Sequence, residues 1–292
     1  MKTVTRVHEL RAVCDDTRAI GGRVGFVPTM GYFHAGHRSL MRAARADNDL
    51  VVVSLFVNPL QFGPTEDLAA YPSDPERDAA AAAAEGVDVV VVLGGDGTVN
   101  EAANGLAGTA TALAVLPGGS TNVFARTIGL PNDPVESTAV TLEALEAGSI
   151  RRVGLGVANG RYFCFHVGIG FDAALVEQVE KRAGLKRWAG HALFMYAGLD
   201  TLARRYDRRH PHFSVRYPDG DGVDDGYFAV CCNTNPYTFI GNTPFDIAPD
   251  ANLDNGLTMV TVRSLRADRA ARIVARAVKG NGALQRDPAI HY

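Results

Sequence analysis

Three short loops hold the residue types that chemistry would need. The first is Gly94-Gly95-Asp96-Gly97-Thr98, in the run GVDVVVVLGGDGTVNEAANGL, where one carboxylate sits among glycines between an apolar strand and a helix-like stretch. Glycines let a ligand approach the backbone, and a new helix presents unpaired N–H groups with a partial positive end, so the loop suits a phosphate. A bare carboxylate beside a polyphosphate is repelled, so Asp96 is useful there only if it meets or orients a cation. Magnesium is implied. The second loop, Pro117-Gly118-Gly119-Ser120-Thr121-Asn122, repeats the design one strand later with hydroxyl donors. Two such neighbours could clamp one triphosphate. The third, PTMGYFHAGH, puts His34 and His37 three positions apart before a helix, where imidazole donors would meet an anion already favoured by the helix terminus. The plainer alternative is that these loops are turns and helix caps, roles for which Asp, Ser, Thr and Asn are well suited.

The elements that must position these loops alternate from Arg23 to Leu116. Short apolar strands (RVGFV, DLVVVSLFV, DVVVVL, ALAVL) are separated by helix-like stretches (HRSLMRAARA, DPERDAAAAAAEG, VNEAANGLA). Continuous apolar strands with helices between them predict a parallel sheet covered on both faces, hence a doubly wound α/β nucleotide-binding domain over residues 1–149. In such sheets ligands bind beyond the carboxyl ends of the strands, where the histidine loop, NPLQFG and GGDGTVNE should share one crevice. After DPVESTAVTLEALEAG the pattern changes to aromatic and β-branched runs broken by Asn-Gly and Asp-Gly, which predicts hairpins and an antiparallel domain over residues 150–292. Helices are expected at DAALVEQVEKR, GHALFMYAGLDTLARRY and RADRAARIVARAVKG.

Composition narrows the function classes. A length of 292 residues with 47% hydrophobic positions allows one large or two modest globular domains. A net charge of −3 argues against nucleic acid as a partner, because such binding needs Lys and Arg gathered on a surface. The apolar stretches are strand-length, well short of the roughly 20 residues that cross a bilayer. The start lacks an apolar signal core, and Cys14, Cys164, Cys231 and Cys232 show neither a CxxC spacing nor a disulfide framework. A cytoplasmic protein is expected, with its oligomeric state open.

GGDGTVNEAANGL, PGGSTNVFART and GIGFDA, in that order, resemble the catalytic region of the diacylglycerol kinase and related lipid kinase family, from about Gly86 to Arg263, with CNTNPYTFIGN adding to the likeness. NAD kinases share GGDGT but not the continuation. The resemblance implies that Gly94, Gly95, Asp96, Gly97, Thr98 and Asn100 hold ATP phosphates and magnesium, with Asp96 catalytic. Ser120, Thr121 and Asn122 would line the same site. It also implies that the second domain is a β-sandwich receiving a lipid at a membrane surface. ANLDNGLTMVTV is similar to that family's structural magnesium loop, with Asn252, Asn255 and Leu257 at ligand positions; an ordinary turn is the alternative. The stretch LKRWAGHALFMYAGLDTLARRYDRRH could press Trp188 against anionic lipid, or bury Leu193, Phe194, Tyr196 and Leu199 in a core.

Residues 23–88 resemble a different family. FVPTMGYFHAGHRSLMRAA followed by VVVSLFVNPLQFGPTEDLAAYPSDPERD is similar to pantothenate synthetase, which joins pantoate to β-alanine with ATP. That likeness implies that His34 and His37 hydrogen-bond ATP phosphates and that Met30 and Gln61 lie near nucleotide or pantoate. The later GEKD-like and SSRN-like segments of that family are absent, so half its adenylation machinery is missing. Asn58-Pro59 resembles the kinases' Asn-Pro loop but falls on the second strand, and the kinases' late Asp-Gly-Glu segment has no match, as though the chain were truncated. The expectation is a hybrid joined near Glu85 to Val90. Its function would be lipid kinase, or ATP and pantoate binding by the first third, or nucleotide binding without turnover.

Overall fold

The computed structural model describes residues 21–58, 70–146, 150–171, 206–207, 210–217, 220–279 and 282–292. The chain divides into two compact units, one within residues 1–152 plus 159–162 and the other within 153–158 plus 163–292.

In the first unit the order is β1 (Val24–Thr29), α1 (Ala35–Asp47), β2 (Leu50–Leu55), α2 (Pro75–Ala84), β3 (Val89–Gly94), α3 (Asp96–Leu106), β4 (Ala112–Pro117), α4 (Val123–Thr127) and α5 (Pro134–Glu146). The four strands are parallel, in register from Val24 opposite Leu50 to Gly94 opposite Pro117. Central β2 is buried almost throughout and β3 buries Val89, Val90 and Val92, as unbroken apolar runs require, whereas edge strand β1 leaves Phe26 50% exposed. Helix α2 starts because Asp74 accepts the Arg77 N–H at 3.1 Å and Pro75 fixes the first turn; the alanine run then propagates it.

The strand order β1-β2-β3-β4 is sequential, and the reversal of order that marks a doubly wound sheet does not occur among the described strands. With right-handed crossovers, sequential order puts α1, α2 and α3 on one face. Helices α2 and α3 then pack closely: a Cβ on Gly105 would lie 2.2 Å from the Glu76 carbonyl oxygen and 3.1 Å from the Ala79 methyl. Arginines of α1 tie down the chain entering β3, Arg38 and Arg42 reaching Glu85 at 2.6 and 3.0 Å and Arg45 reaching Asp88 at 2.7 Å.

The second unit is antiparallel, as the sequence predicts. Strands β7 (His166–Gly170), β10 (Phe228–Cys232), β13 (Thr258–Val262) and β14 (Ile290–His291) form one sheet in the order β14-β13-β10-β7. Short hairpins join β5 (Gly156–Ala158) to β6 (Arg161–Phe163), whose tip at residues 159–162 belongs to the first unit, β8 (Phe213–Arg216) to β9 (Gly222–Gly226) and β11 (Thr238–Ile240) to β12 (Thr243–Phe245). The first turns on Asn159 and Gly160, both left-handed, the conformation that the Asn-Gly pair favours. Val230, Cys232, Val260 and Val262 pack against Ile247, Ala248 and Leu265, and against Ala277 of α6 (Ala267–Lys279). Among the described residues, this face is covered by a loop, a helix and Phe245 of the two-stranded β11–β12 sheet. Trp188, the helix expected at residues 172–182 and all but the last residue of the helix expected at 190–206 lie outside the described residues.

Candidate active site at the glycine loops

The two glycine loops lie backbone on backbone. Gly118 donates its N–H to the Gly94 carbonyl at 2.9 Å, a Cβ on Gly118 would sit 2.9 Å from the Gly94 nitrogen, and one on Gly119 would sit 2.7 Å from the Gly95 Cα. Glycine is thus required at these positions by contact between the loops themselves. Gly97 differs: a Cβ there would meet nothing within 4 Å. It opens the first turn of α3, whose N-cap Gly95 supplies no side-chain acceptor. Exposed Gly118, Gly119 and Ser120 and half-buried Thr121 complete this rim. An uncapped helix terminus beside bare backbone is the arrangement that attracts a phosphate.

The carboxylate of Asp96 is already engaged. Oδ2 accepts the Val123 N–H and Oδ1 the Phe124 N–H, both at 2.9 Å, so Asp96 caps α4 from the neighbouring loop. The reason lies in Asn122. Held left-handed at φ 54° and buried, it turns its amide back on the loop, accepting from Gly119 N at 2.7 Å and donating to Gly119 O and Asn132 Oδ1. It cannot cap its own helix. Asn122 therefore shapes the loop from within instead of offering its amide to a ligand. Asn100 donates to the Tyr162 carbonyl at 3.3 Å, together with Asn104, and Thr98 stands against Gly94, where a Cβ would be 2.8 Å from its own.

At the β1–α1 loop His34 is the N-cap, its Nδ1 accepting the Gly36 N–H at 3.0 Å, and His37 Nδ1 accepts the His34 N–H at 3.4 Å. With both Nδ1 atoms accepting, the neutral tautomers carry their protons on Nε2, ready to donate. Burial and the neighbouring His34 hold His37 below the ordinary histidine range, opposed by Asp78. Met30 is half-buried at the end of β1, and Gln61 lies outside the described residues. Since α1 follows β1 and α3 follows β3, both loops lie along one edge of the sheet, two strands apart, roughly 10 Å at the usual strand spacing.

The Asn252 loop is an Asx turn. Asn252 Oδ1 accepts the N–H groups of Asp254 and Asn255 at 3.0 and 3.1 Å, and its amide donates to the Asp250 carbonyl. Asn255 is exposed and Leu257 half-exposed beside this turn. Sequence reasoning missed Asp78, a buried carboxylate beneath the histidine loop. Its only signal was an acid one turn before Ala82 on the face that α2 buries.

Residues 2–93 match the sequence profile of the family described as pantoate-beta-alanine ligase. A pantothenate synthetase from Syntrophobacter fumaroxidans is 55% identical over 92 residues, 32% of this chain and 32% of that protein. One from Bacillus cereus strain B4264 is 56% identical over 88 residues, 30% of this chain and 31% of that protein. The chain thus spans about a third of the length of these curated relatives. The match ends at Leu93, so it takes in β3 up to its last residue and leaves the glycine loop from Gly94 outside. Over most of its length the chain has the fold of a provisionally assigned diacylglycerol kinase from Bacillus anthracis str. Sterne: TM-score 0.57, 22% identity, covering 92% of this chain and 82% of that one. A second solved structure of such a protein from the same strain gives a TM-score of 0.55 at 23% identity, covering 88% of this chain and 80% of that one.

Proposed function

We propose that the chain binds the phosphates of Mg-ATP at the paired glycine loops and transfers the γ-phosphoryl group to a lipid hydroxyl at a membrane surface. The observation that carries this reading is the uncapped first turn of α3, with open space at Gly97, where the two loops touch. Lipid as acceptor is supported by the order of the GGDGT, PGGSTN and GIGFDA motifs, and the likeness of fold agrees with it. No described helix is long and apolar enough to cross a membrane, which suits a substrate met at a surface.

Magnesium fits here as an ion held largely by the phosphates, which is its usual mode in phosphoryl-transfer sites. A carboxylate has about four lone-pair positions, and Asp96 has given one per oxygen to α4, so the remaining ones can orient the ion's water shell. When bound, the ion would neutralise charge on the transferring group. The chain's own part is positioning. Backbone N–H groups of α3 receive the phosphates, Ser120 and Thr121 supply hydroxyls, and Asp96 keeps the two loops in register.

The test is calorimetry with Mg-ATP, followed by phosphorylation of diacylglycerol or sphingoid bases in vesicles with radiolabelled ATP. Gly97→Asp is the informative variant. An acid in the first helical turn favours the fold, and its Cβ would meet no atom within 4 Å, yet its charge would repel a phosphate. Unchanged affinity in Gly97→Asp would remove the site from this loop. A second reading, that the histidine loop binds ATP as in a ligase, is favoured by the free Nε2 donors of His34 and His37; pantothenate formed from pantoate, β-alanine and ATP would support it.

A further inference from the structure

Asp78 is 1% exposed, and its carboxylate faces the loop between β1 and α1. Oδ1 accepts the Phe33 N–H at 2.7 Å, and Oδ2 accepts the Tyr32 N–H. The adjacent Arg77 grips the same two residues from the other side, donating to the Phe33 carbonyl at 3.2 Å and stacking over the Tyr32 ring at 4.5 Å. The loop needs this hold. Gly31 and Tyr32 are both left-handed, at φ 86° and 53°, and for a tyrosine that backbone is strained. Two residues later His34 begins α1.

We propose that Arg77 and Asp78 are the positioning residues of the histidine loop, fastening Tyr32 and Phe33 so that His34 and His37 present their Nε2 donors to a nucleotide's phosphates. Neither touches the ligand; each acts through the backbone of residues 32 and 33. The ligand half of this statement rests on the second reading above, and the positioning half does not.

Titration of His37 separates the two. The charged and titratable groups facing it are His34 on its own helix and Asp78 on α2, with Arg38 next in sequence and Arg77 beside Asp78. Burial is the largest cause of its lowered value, ahead of repulsion by His34, while Asp78 pulls the other way. Removing the carboxylate alone would therefore move His37 further down, whereas releasing the loop to water would move it up.

In the full chain carrying Asp78→Asn, NMR titration of the His37 ring is expected to shift upward, toward the ordinary histidine value. Affinity for ATP is expected to fall about tenfold, the effect of one lost hydrogen bond to a charged group. A downward or unchanged titration would overturn the proposal, because the loop would then hold without Asp78. If the wild-type chain binds no ATP at this loop, the ligand reading fails while the titration still judges the positioning. Should Asp78→Asn not fold, Gly31→Ala carries the same test. It alters no charge, yet its Cβ would lie 3.0 Å from Asp78 Oδ2 on a left-handed backbone, so the same upward shift is expected and its absence would refute the proposal.

Discussion

Asp96→Ala would remove both acceptors from the start of α4. Each bond runs from a backbone N–H to a charged oxygen at 2.9 Å, a type with a net contribution of about 1.5–3 kcal/mol. Asp96 is only half-buried and helix-cap deletions rarely exceed about 2 kcal/mol, so roughly 2–3 kcal/mol is expected in total. For a unit of this size that lowers the melting temperature by roughly 4–12 °C. Asp96→Asn keeps one acceptor and turns an NH2 toward the other N–H, so about half the effect or slightly more should appear. Both proteins would be melted in EDTA without nucleotide, which isolates capping from any role with magnesium. If both melt within about 1 °C of the wild type yet lose Mg-ATP binding, the capping account is wrong and Asp96 acts on the ligand side alone.

Gly105→Ala should destabilise the first unit by about 3 kcal/mol or more, at or beyond the usual overpacking range, because the new methyl would overlap the Glu76 carbonyl; urea unfolding would measure it. His166 predicts an acid limb in stability. Burial holds its pKa down to about 4 in the folded chain, so the unfolded chain takes up the proton first. The stabilisation is complete above about pH 6.5 and is lost as pH falls toward 4, by about 2–3 kcal/mol. His166→Phe, which keeps a ring against Tyr237, should flatten that limb in pH-dependent unfolding.

Local patterns were legible and long-range pairings were not. The apolar runs of β2 and β3 announce parallel strands because burial on both faces leaves no room for alternation, and Asn159-Gly160 announces its hairpin through backbone preference alone. The strand order has no such local trace, since a β-α-β unit reads the same whether the next strand adds on one side or the other. Asp96 illustrates a subtler limit. Its spacing correctly places it at a helix start, but the helix it caps begins 27 positions later, reached through the loop contact that the glycines permit. The role of Asp78 was hidden for the same reason, its partners lying 45 and 46 residues earlier, although its place on the buried face of α2 marked it as unusual.

The seam between α2 and α3 has a consequence for how such a chain could arise. On one side stand alanines from a segment matching the ligases; on the other, a glycine from the segment resembling kinases. The fit is exacting, because a Cβ at position 105 would meet the Glu76 carbonyl oxygen, so a helix brought in on either side would have to keep this glycine and the small residues facing it as a pair.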